Sequence, residues 1–289
     1  MEIELTTGGW VWAVLAALAV GISKTGFGGV GLVAVSIMVE LFGKPSVGIL
    51  LPMLIFADVS VYPVFRKHGA WGPVWKLLPP TLLGCAAGYL VLDWMAEESA
   101  RSVVGGIIVV MVGVQFFRNV GRESFDRLAR SREAGLAAGF AAGTATMVAN
   151  AAGPIFQLYL LSRRFEKLEL IGVGARFFLL VNILKAPFLG GMSFITGESL
   201  LFNLKLLPVI LLGIFLGRHL VHVVSQRLFE WLVILFALVA GGRLFLFPAP
   251  VPVRLGRRRR ERQQGIRHWL GKEGRRAKRS GRALHRGAD

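Results

Sequence analysis

The chain has 289 residues, 54% of them hydrophobic, and a mean hydropathy of +0.59, which excludes an ordinary soluble domain of this size. The formal net charge is +17, and residues 254–289 carry 14 Lys and Arg against three acids, or +11 of that total. A single cysteine, Cys85, excludes an internal disulfide and gives no sign of a cysteine-based metal cluster. The composition predicts an all-α membrane protein with several spans and a basic C-terminal tail.

The first hydrophobic run, Trp10–Val39, is interrupted by the glycine-rich stretch Gly21–Gly31, which reads GISKTGFGGVG. Glycine at this density breaks a helix, and a broken backbone inside a bilayer is tolerated only where protein buries it or it lines a wet cavity. Lys24 lies within the break, where an ammonium at membrane depth is costly. The combination predicts an ion or substrate site between two half-helices.

The chain contains eight apolar segments, and most of them approach the ~20 residues that a helix needs to cross a bilayer. They are Trp10–Val39, Val47–Phe65, Val74–Met95, Val103–Phe117, Ala134–Leu161, Leu170–Leu189, Leu206–Val224 and Leu228–Phe247. A loop with five arginines, Arg118–Glu133, separates two sets of four. We therefore predict a first transmembrane repeat over residues 1–117, a linker over 118–133, a second repeat over 134–247 and a basic, disordered tail over 248–289.

The two sets resemble each other in sequence. Leu77–Gly88 and Leu206–Gly217 share seven identities in twelve positions at an offset of 129, including a small-x-x-x-small pair that lets helices approach closely. Gly21 and Gly31 match Gly143 and Gly153 at an offset of 122. This pattern predicts an internal duplication, with the repeats either parallel or inverted.

Duplication brings a second interruption, at Ala149–Pro154, to the place equivalent to the first. This one follows Thr146 and contains Asn150, so it offers hydroxyl and amide groups rather than a cation. Two half-helix ends that meet in the membrane would present unpaired backbone N–H groups and positive dipole ends, which suit an anion. The predicted ligand is a small negatively charged solute.

Two arrangements in the membrane remain open. Eight simple crossings with the tail inside place Arg66, Lys67 and Lys76 on the inner side and the acidic loop Asp93–Arg101 outside, as the positive-inside rule favours. The basic loop Arg163–Lys167 then lies outside, against that rule. If the broken segments return as hairpins, this loop moves inside, the repeats become inverted and the tail lies outside. The tail inside is preferred because polybasic segments favour anionic inner-leaflet lipid.

Few ionisable or amide groups interrupt the apolar segments, and each has a structural alternative. Asp58 is either a proton relay, the partner of Lys24, or a structural or neutral buried acid. Asn182 and Lys185 lie three residues apart on one helical face, although Lys185 is near the segment end and can extend to the interface. Arg176 can share that face and either bind an oxyanion or pair with Asp58.

The sequence contains no pattern typical of an enzyme or a cofactor site. His68, His219 and His222 fall at loop or helix edges without carboxylates at metal-ligand spacing, so no metal is expected. Nucleophile-elbow, nucleotide-binding and zinc-protease motifs are absent, and we expect neither catalysis nor a cofactor. The tail is expected to contact anionic lipid headgroups rather than nucleic acid.

The motifs resemble those of the sulfite exporter TauE/SafE family over about Trp10–Phe247. In the first half the resemblance rests on Gly21, Lys24, Gly26, Gly29, Gly31, Leu50–Pro52, Ala57–Asp58 and Arg66–His68 before Trp71. In the second half it rests on Thr146–Pro154, Tyr159–Leu161, Asn182, Lys185, Pro187 and Phe188. Arg176 departs from the family pattern, in which an aromatic residue usually follows the alanine, and the second break lacks the glycine density of the first.

The resemblance implies a multi-pass transporter of the cell membrane, with duplicated four-helix halves, that exports or imports small anions such as sulfite or organosulfonates. We predict a secondary transporter, most simply an exporter, and leave open a homo-oligomer. The predicted substrate-binding residues are Lys24, Thr25, Gly28, Gly29, Thr146, Asn150, Gly153, Arg176 and Asn182, with Asp58 and Lys185 as coupling or ion-pair residues. The alternatives are a non-transporting membrane scaffold that acts through its basic tail and an intramembrane enzyme.

Overall fold

The computed structural model describes residues 3, 5–27, 29–120, 131–163 and 165–223 and the single residues 231, 235 and 238. Within that part of the chain every regular element is an α-helix. The helices are α1 (Thr7–Ser23), α2 (Val30–Phe42), α3 (Ser46–Phe65), α4 (Gly72–Trp94), α5 (Ala100–Val120), α6 (Arg132–Ala149), α7 (Gly153–Ser162), α8 (Lys167–Gly191) and α9 (Gly197–Val223). They belong to one unit, residues Leu5–Val253.

Three of these helices are long and apolar enough to cross a membrane: α3, α4 and the Gly197–Leu220 part of α9. Shorter apolar helices are α1, α2 and the first part of α5, Ala100–Val114. The length of α8 is also sufficient, at 25 residues, but charged side chains interrupt its apolar surface. The all-helical, membrane-type fold expected from the sequence is confirmed at this level.

Helix starts follow local capping signals. The Thr6 hydroxyl accepts from Gly9 N at 3.2 Å ahead of α1, and the Ser131 hydroxyl accepts from Ala134 N at 3.0 Å ahead of α6. A reciprocal capping box between Glu166 and Glu169 begins α8. These side chains satisfy backbone N–H groups that the first turn leaves without helical partners.

The first broken segment folds back on itself as a helical hairpin. Trp10 near the start of α1 and Phe42 at the end of α2 both pack on Phe202, each with ring centroids 5.5 Å apart. The chain therefore leaves α2 at the same end of the bundle at which it entered α1. The break between them holds Gly26 at φ +110°, a conformation that favours glycine.

The second broken segment forms a hairpin as well, from the opposite end. Arg163, just after α7, donates from Nη2 to the carbonyl of Ser131, just before α6, at 3.3 Å. The loop after α3 lies at this same end, because Gly172 near the start of α8 packs on the carbonyl of His68. The basic loop at Arg163 thus shares an end with the basic loop Arg66–His68. This geometry matches the hairpin alternative rather than eight simple crossings, so the preferred arrangement, eight crossings with the tail inside, is not supported.

Glycines bring two pairs of helices into backbone contact. Gly21 in α1 lies against the backbone of Ile210 in α9, and Gly143 in α6 lies against the backbone of Thr81 in α4. Ile210 and Thr81 are 129 positions apart, the offset found in the sequence. The first helix of each set therefore packs on the third predicted segment of the other set, at matching residues.

The start predicted for α9 is wrong by more than two helical turns. The sequence predicted a segment from Leu206, but α9 begins at Gly197. Thr196 and Ser199 cap it reciprocally, with Thr196 N donating to Ser199 Oγ at 2.8 Å and Ser199 N donating to Thr196 Oγ1 at 3.2 Å. Its first turns carry Asn203, which is buried and donates to the carbonyl of Ile49 at 2.9 Å.

The linker predicted over 118–133 is helical at both ends, since α5 reaches Val120 and α6 begins at Arg132. Its centre, 121–130, lies outside the described residues, as does the tail, 248–289. Of the predicted eighth segment, Leu228–Phe247, only three helical positions are described: Trp231, Leu235 and Leu238.

Candidate functional site

A cavity of about 80 Å³ lies among α1, α2, α3, α7, α8 and the two breaks. A volume of that size holds several water molecules or a small ion. Its polar lining consists of Ser23, Lys24, Asp58, Thr146, Asn150, Gln157 and Asn182, and its apolar lining includes Leu50, Leu54, Pro154, Phe156, Ile171 and Phe178. The cavity therefore borders both interruptions that the sequence singled out.

Lys24 enters the cavity from the first break, at the residue that ends α1. Its backbone N–H still donates to Gly21, at 3.3 Å, so the helix ends in a tight turn that turns the side chain inward. The side chain is 12% exposed, and Nζ lies 2.7 Å from Oδ1 of Asp58. The ammonium also sits 5.0 Å from the centroid of the Phe178 ring, a cation–π contact.

Asp58 lies past the middle of α3 and is 1% exposed. Its two carboxylate oxygens have different partners: Oδ1 faces Lys24, and Oδ2 accepts from Nδ2 of Asn182 at 2.8 Å. A carboxylate at this depth needs a cation and hydrogen bonds to offset its desolvation. Helices α1, α3 and α8 are therefore joined at the cavity by one ion pair and one hydrogen bond.

Lys185 stands one turn after Asn182 on α8 and is 1% exposed. Nζ donates to the Thr146 carbonyl at 2.8 Å, to Thr146 Oγ1 at 3.0 Å and to Asn150 Oδ1 at 2.8 Å. An ammonium has three donors, and all three are used. The alternative in which Lys185 extends to the interface is wrong, because the oxygen-rich end of α6 provides acceptors inside the protein.

The second break turns at Asn150, which ends α6 in the left-handed conformation, φ 52° and ψ 30°. Asparagine tolerates that conformation better than most residues, which explains a break without glycine at this position. The Asn150 amide donates from Nδ2 to the carbonyl of Val47 at 2.9 Å. Gly153 and Pro154 then begin α7 and line the cavity.

A glutamine joins the two hairpins. Gln157 in α7 donates from Nε2 to the carbonyl of Gly26, in the first break, at 3.2 Å. The turn of the first hairpin therefore lies beside α7, the second helix of the second hairpin. The two hairpins overlap along their length and do not meet at their turns. Sequence analysis missed Gln157, although it is the only amide in the apolar α7 stretch GPIFQLYLLS and was visible as such.

The family model described as sulfite exporter TauE/SafE matches residues 13–244, which is most of the chain. The chain belongs to this family. Comparisons with curated proteins and with solved structures found no match. The resemblance inferred from the motifs is confirmed, and the family is one of membrane transporters rather than enzymes.

Not every predicted site residue of this TauE/SafE member lies at the cavity. Thr25 is 1% exposed and its hydroxyl donates to the carbonyl of Ile22 at 2.8 Å, so it caps the end of α1. Gly29 precedes α2 and is not part of the cavity wall. Gly28 lies outside the described residues.

Arg176 differs most from the expectation of an oxyanion contact or a pair with Asp58. Its guanidinium lies beyond the cavity wall, where Nη1 donates to the carbonyls of Gly172, at 2.7 Å, and His68, at 3.2 Å. Nη2 donates to the carbonyl of Arg66. Arg176 therefore ties the loop after α3 to α8, because the Arg66 and His68 carbonyls, just beyond the end of α3, accept from its two Nη atoms.

The cavity and its surrounding shell hold two lysines and one aspartate, which gives a formal excess of one positive charge. Lys24 contributes to the wall itself, whereas Lys185 lies behind Thr146 and Asn150. Among the described residues no group of three His, Cys, Asp or Glu side chains is close enough to hold a metal ion. In this TauE/SafE protein the side chains of the cavity wall can bind a solute through the charge of Lys24 and through hydrogen bonds.

Proposed function

We propose that this protein is a secondary transporter, in its simplest form an exporter, of a small anion such as sulfite or an organosulfonate. The observation that carries the proposal is Lys24, whose ammonium lines a small cavity between two chain breaks and is paired with only one carboxylate. Membership of a transporter family supports the class of function. The cavity supports the size and charge of the solute.

The binding set that we propose is narrower than the one expected from the sequence. Lys24 supplies charge, and Thr146, Asn150, Asn182 and Gln157 supply polar side chains around the cavity. Gly153 lines the cavity at the start of α7, where backbone N–H groups and the positive dipole end of the helix favour an anion. We propose that Arg176, Thr25 and Lys185 hold the walls of the site rather than touch the solute.

We propose further that the chain forms eight membrane segments in two inverted repeats of the cell membrane. Three observations support this: the two hairpins enter from opposite ends, Gly21 and Gly143 make matching contacts, and α3 packs on α8. Inverted repeats with broken helices at the solute site are a common transporter architecture. Such an arrangement supports alternating access by movement of one hairpin relative to the other.

The test is flux in proteoliposomes loaded in turn with labelled sulfite, thiosulfate, methanesulfonate, phosphate and acetate. We expect export of at least one sulfur oxyanion and a loss of at least tenfold in Lys24→Gln. Lys76→Gln is the matched control, since Lys76 is an exposed lysine of α4 and the charge change is the same. Wild-type flux of none of these anions, or unchanged flux in Lys24→Gln, would contradict the proposal.

Truncation separates transport from a scaffold role of the basic tail. We propose that residues 254–289 bind anionic lipid headgroups through their net charge of +11 and are accessory to transport. A protein ending at Val253 is expected to keep its flux in proteoliposomes of neutral lipid. A flux that disappears with the tail would favour the scaffold or assembly alternative.

A further inference from the structure

We propose that Asp58 and the transported anion compete for Lys24, so that one proton is taken up at Asp58 for each anion bound. This inference rests on the proposed transport function and adds its coupling ion. It concerns the two cavity-lining groups that face each other at 2.7 Å, Lys24 Nζ and Asp58 Oδ1.

Among the described residues that line the cavity, Lys24 is the cation that can bind a solute. Lys185 has committed its three donors to Thr146 and Asn150. The Lys24 ammonium, by contrast, contacts one carboxylate oxygen and one aromatic face. An anion that enters the cavity therefore binds at Lys24, within a few ångströms of the Asp58 carboxylate.

Two negative charges at that separation repel strongly where one of them, the Asp58 carboxylate, is 1% exposed, and protonation of one of them removes the repulsion. Asp58 can gain a proton without losing its place. Asn182 continues to donate to Oδ2, so the proton is carried on Oδ1, the oxygen that Lys24 releases. Asn182 is in this respect a positioning residue.

The other charged groups around α3 do not alter this balance. Lys185 is the second cation that acts on Asp58, and Tyr62 lies one turn further along α3. Arg176 on α8 is engaged by backbone carbonyls. Other ionisable residues on the packed helices α1, α2, α6, α8 and α9, where side chains are described, lie near helix ends or on exposed faces: Glu40, Glu133, Glu169, Glu198, Lys205, Arg218 and His219.

The charge balance of the cycle follows. In the empty site the Asp58 carboxylate neutralises Lys24. In the loaded site the anion neutralises Lys24, and Asp58 carries a proton taken from the side from which the anion entered. On release the anion and the proton leave together, and the pair regenerates. For a monoanion the transported unit is neutral, so a pH gradient drives transport and a membrane potential does not.

The experiment uses wild type, Asp58→Asn and the control Asp93→Asn in proteoliposomes, with labelled methanesulfonate and, separately, labelled sulfite. Methanesulfonate stays a monoanion near neutral pH, whereas sulfite titrates there, and the comparison between variants cancels that effect. Asp93 is an exposed carboxylate at the end of α4. With the outside one pH unit more acidic, one proton per anion allows wild type and Asp93→Asn about tenfold accumulation. Asp58→Asn is expected only to equilibrate the anion and to respond to an imposed potential.

The outcomes separate the two proposals. Gradient-driven accumulation that persists in Asp58→Asn would overturn coupling at Asp58 and leave transport standing. A wild-type protein that moves neither anion would overturn the transport function for this anion class and the coupling with it. If Asp58→Asn does not fold, proton uptake by purified wild type decides: one proton per bound methanesulfonate is expected, and no uptake overturns the inference.

Discussion

Lys24, in the first break, has one carboxylate oxygen at 2.7 Å, whereas Lys185, which serves the second, donates to three oxygens of Thr146 and Asn150. Both ammonium groups are largely buried, yet only Lys24 belongs to the cavity wall. The first break is held by glycine geometry and keeps its cation available. The second break is held by its cation. We propose that the first break supplies the positive charge of the site, whereas the second supplies polar groups whose position Lys185 fixes.

The largest effect on stability is expected from Lys185→Met. This change keeps the length of the side chain but removes three hydrogen bonds, to the Thr146 carbonyl, Thr146 Oγ1 and Asn150 Oδ1, each worth about 1–3 kcal/mol. The free energy of unfolding in detergent should fall by about 3 kcal/mol or more, partly offset by the apolar side chain. Lys76→Met, at an exposed position, is the control and should change it little. A Lys185→Met protein of wild-type stability would break the distinction between the two lysines.

The next prediction tests whether the helices that lead into the two breaks are packed in the same way. An added methyl at Gly21 or Gly143 would overlap the backbone of α9 or α4, so each Gly→Ala variant must separate two helices. We expect a loss of about 2 kcal/mol in unfolding free energy at either site. The control is Gly113→Ala in α5, where no atom lies within 4 Å of the new methyl, and helix propensity predicts a small gain. Unequal losses at Gly21 and Gly143 would weaken the case for matched repeats.

Much of this arrangement was accessible from the sequence because polar groups are costly inside apolar segments. Lys24, Asp58, Asn150 and Asn182 stood out on that ground, and all four line the cavity. The direction of the chain after each break was not accessible, because hydropathy is the same for a crossing and for a hairpin. Contacts such as Arg163 with Ser131 decide between them in the structure.

The remaining differences have a common physical cause, which is that acceptors from distant parts of the chain determine what a cation does. Arg176 looked like an anion ligand because a guanidinium deep in an apolar segment suits an oxyanion, but the carbonyls of Arg66 and His68 accept its hydrogen bonds instead. Lys185 was predicted as a coupling or ion-pair residue with extension to the interface as the alternative, but its partners are the oxygens of Thr146 and Asn150. No spacing within α8 encodes either set of partners.

A double-mutant cycle distinguishes the ion pair's contribution to stability from its contribution to binding. Lys24→Gln leaves the Asp58 carboxylate without its cation, and adding Asp58→Asn removes the unpaired charge. We expect a coupling energy of about 1.5 kcal/mol in unfolding free energy, less than for a fully closed pair because Lys24 is 12% exposed. Flux should be lost in Lys24→Gln and stay lost in the double variant. Recovery of flux with stability would mean that Lys24 acts only by neutralising Asp58.

The smallest effect is expected where the two hairpins touch. Gln157→Met keeps most of the side-chain volume and removes one hydrogen bond, that from Nε2 to the carbonyl of Gly26, worth about 1 kcal/mol. Because Gly26 lies two residues after Lys24, loosening it should change flux by a few fold even though stability changes little. Gln157→Glu is the informative companion, since a carboxylate there cannot donate to the carbonyl and adds a negative charge to the cavity. Flux should therefore fall further in Gln157→Glu than in Gln157→Met. Equal flux in the two variants would indicate that Gln157 acts on the position of the first break and not on the charge of the site. The groups that contact the anion would then be Lys24 and the residues of the second break alone.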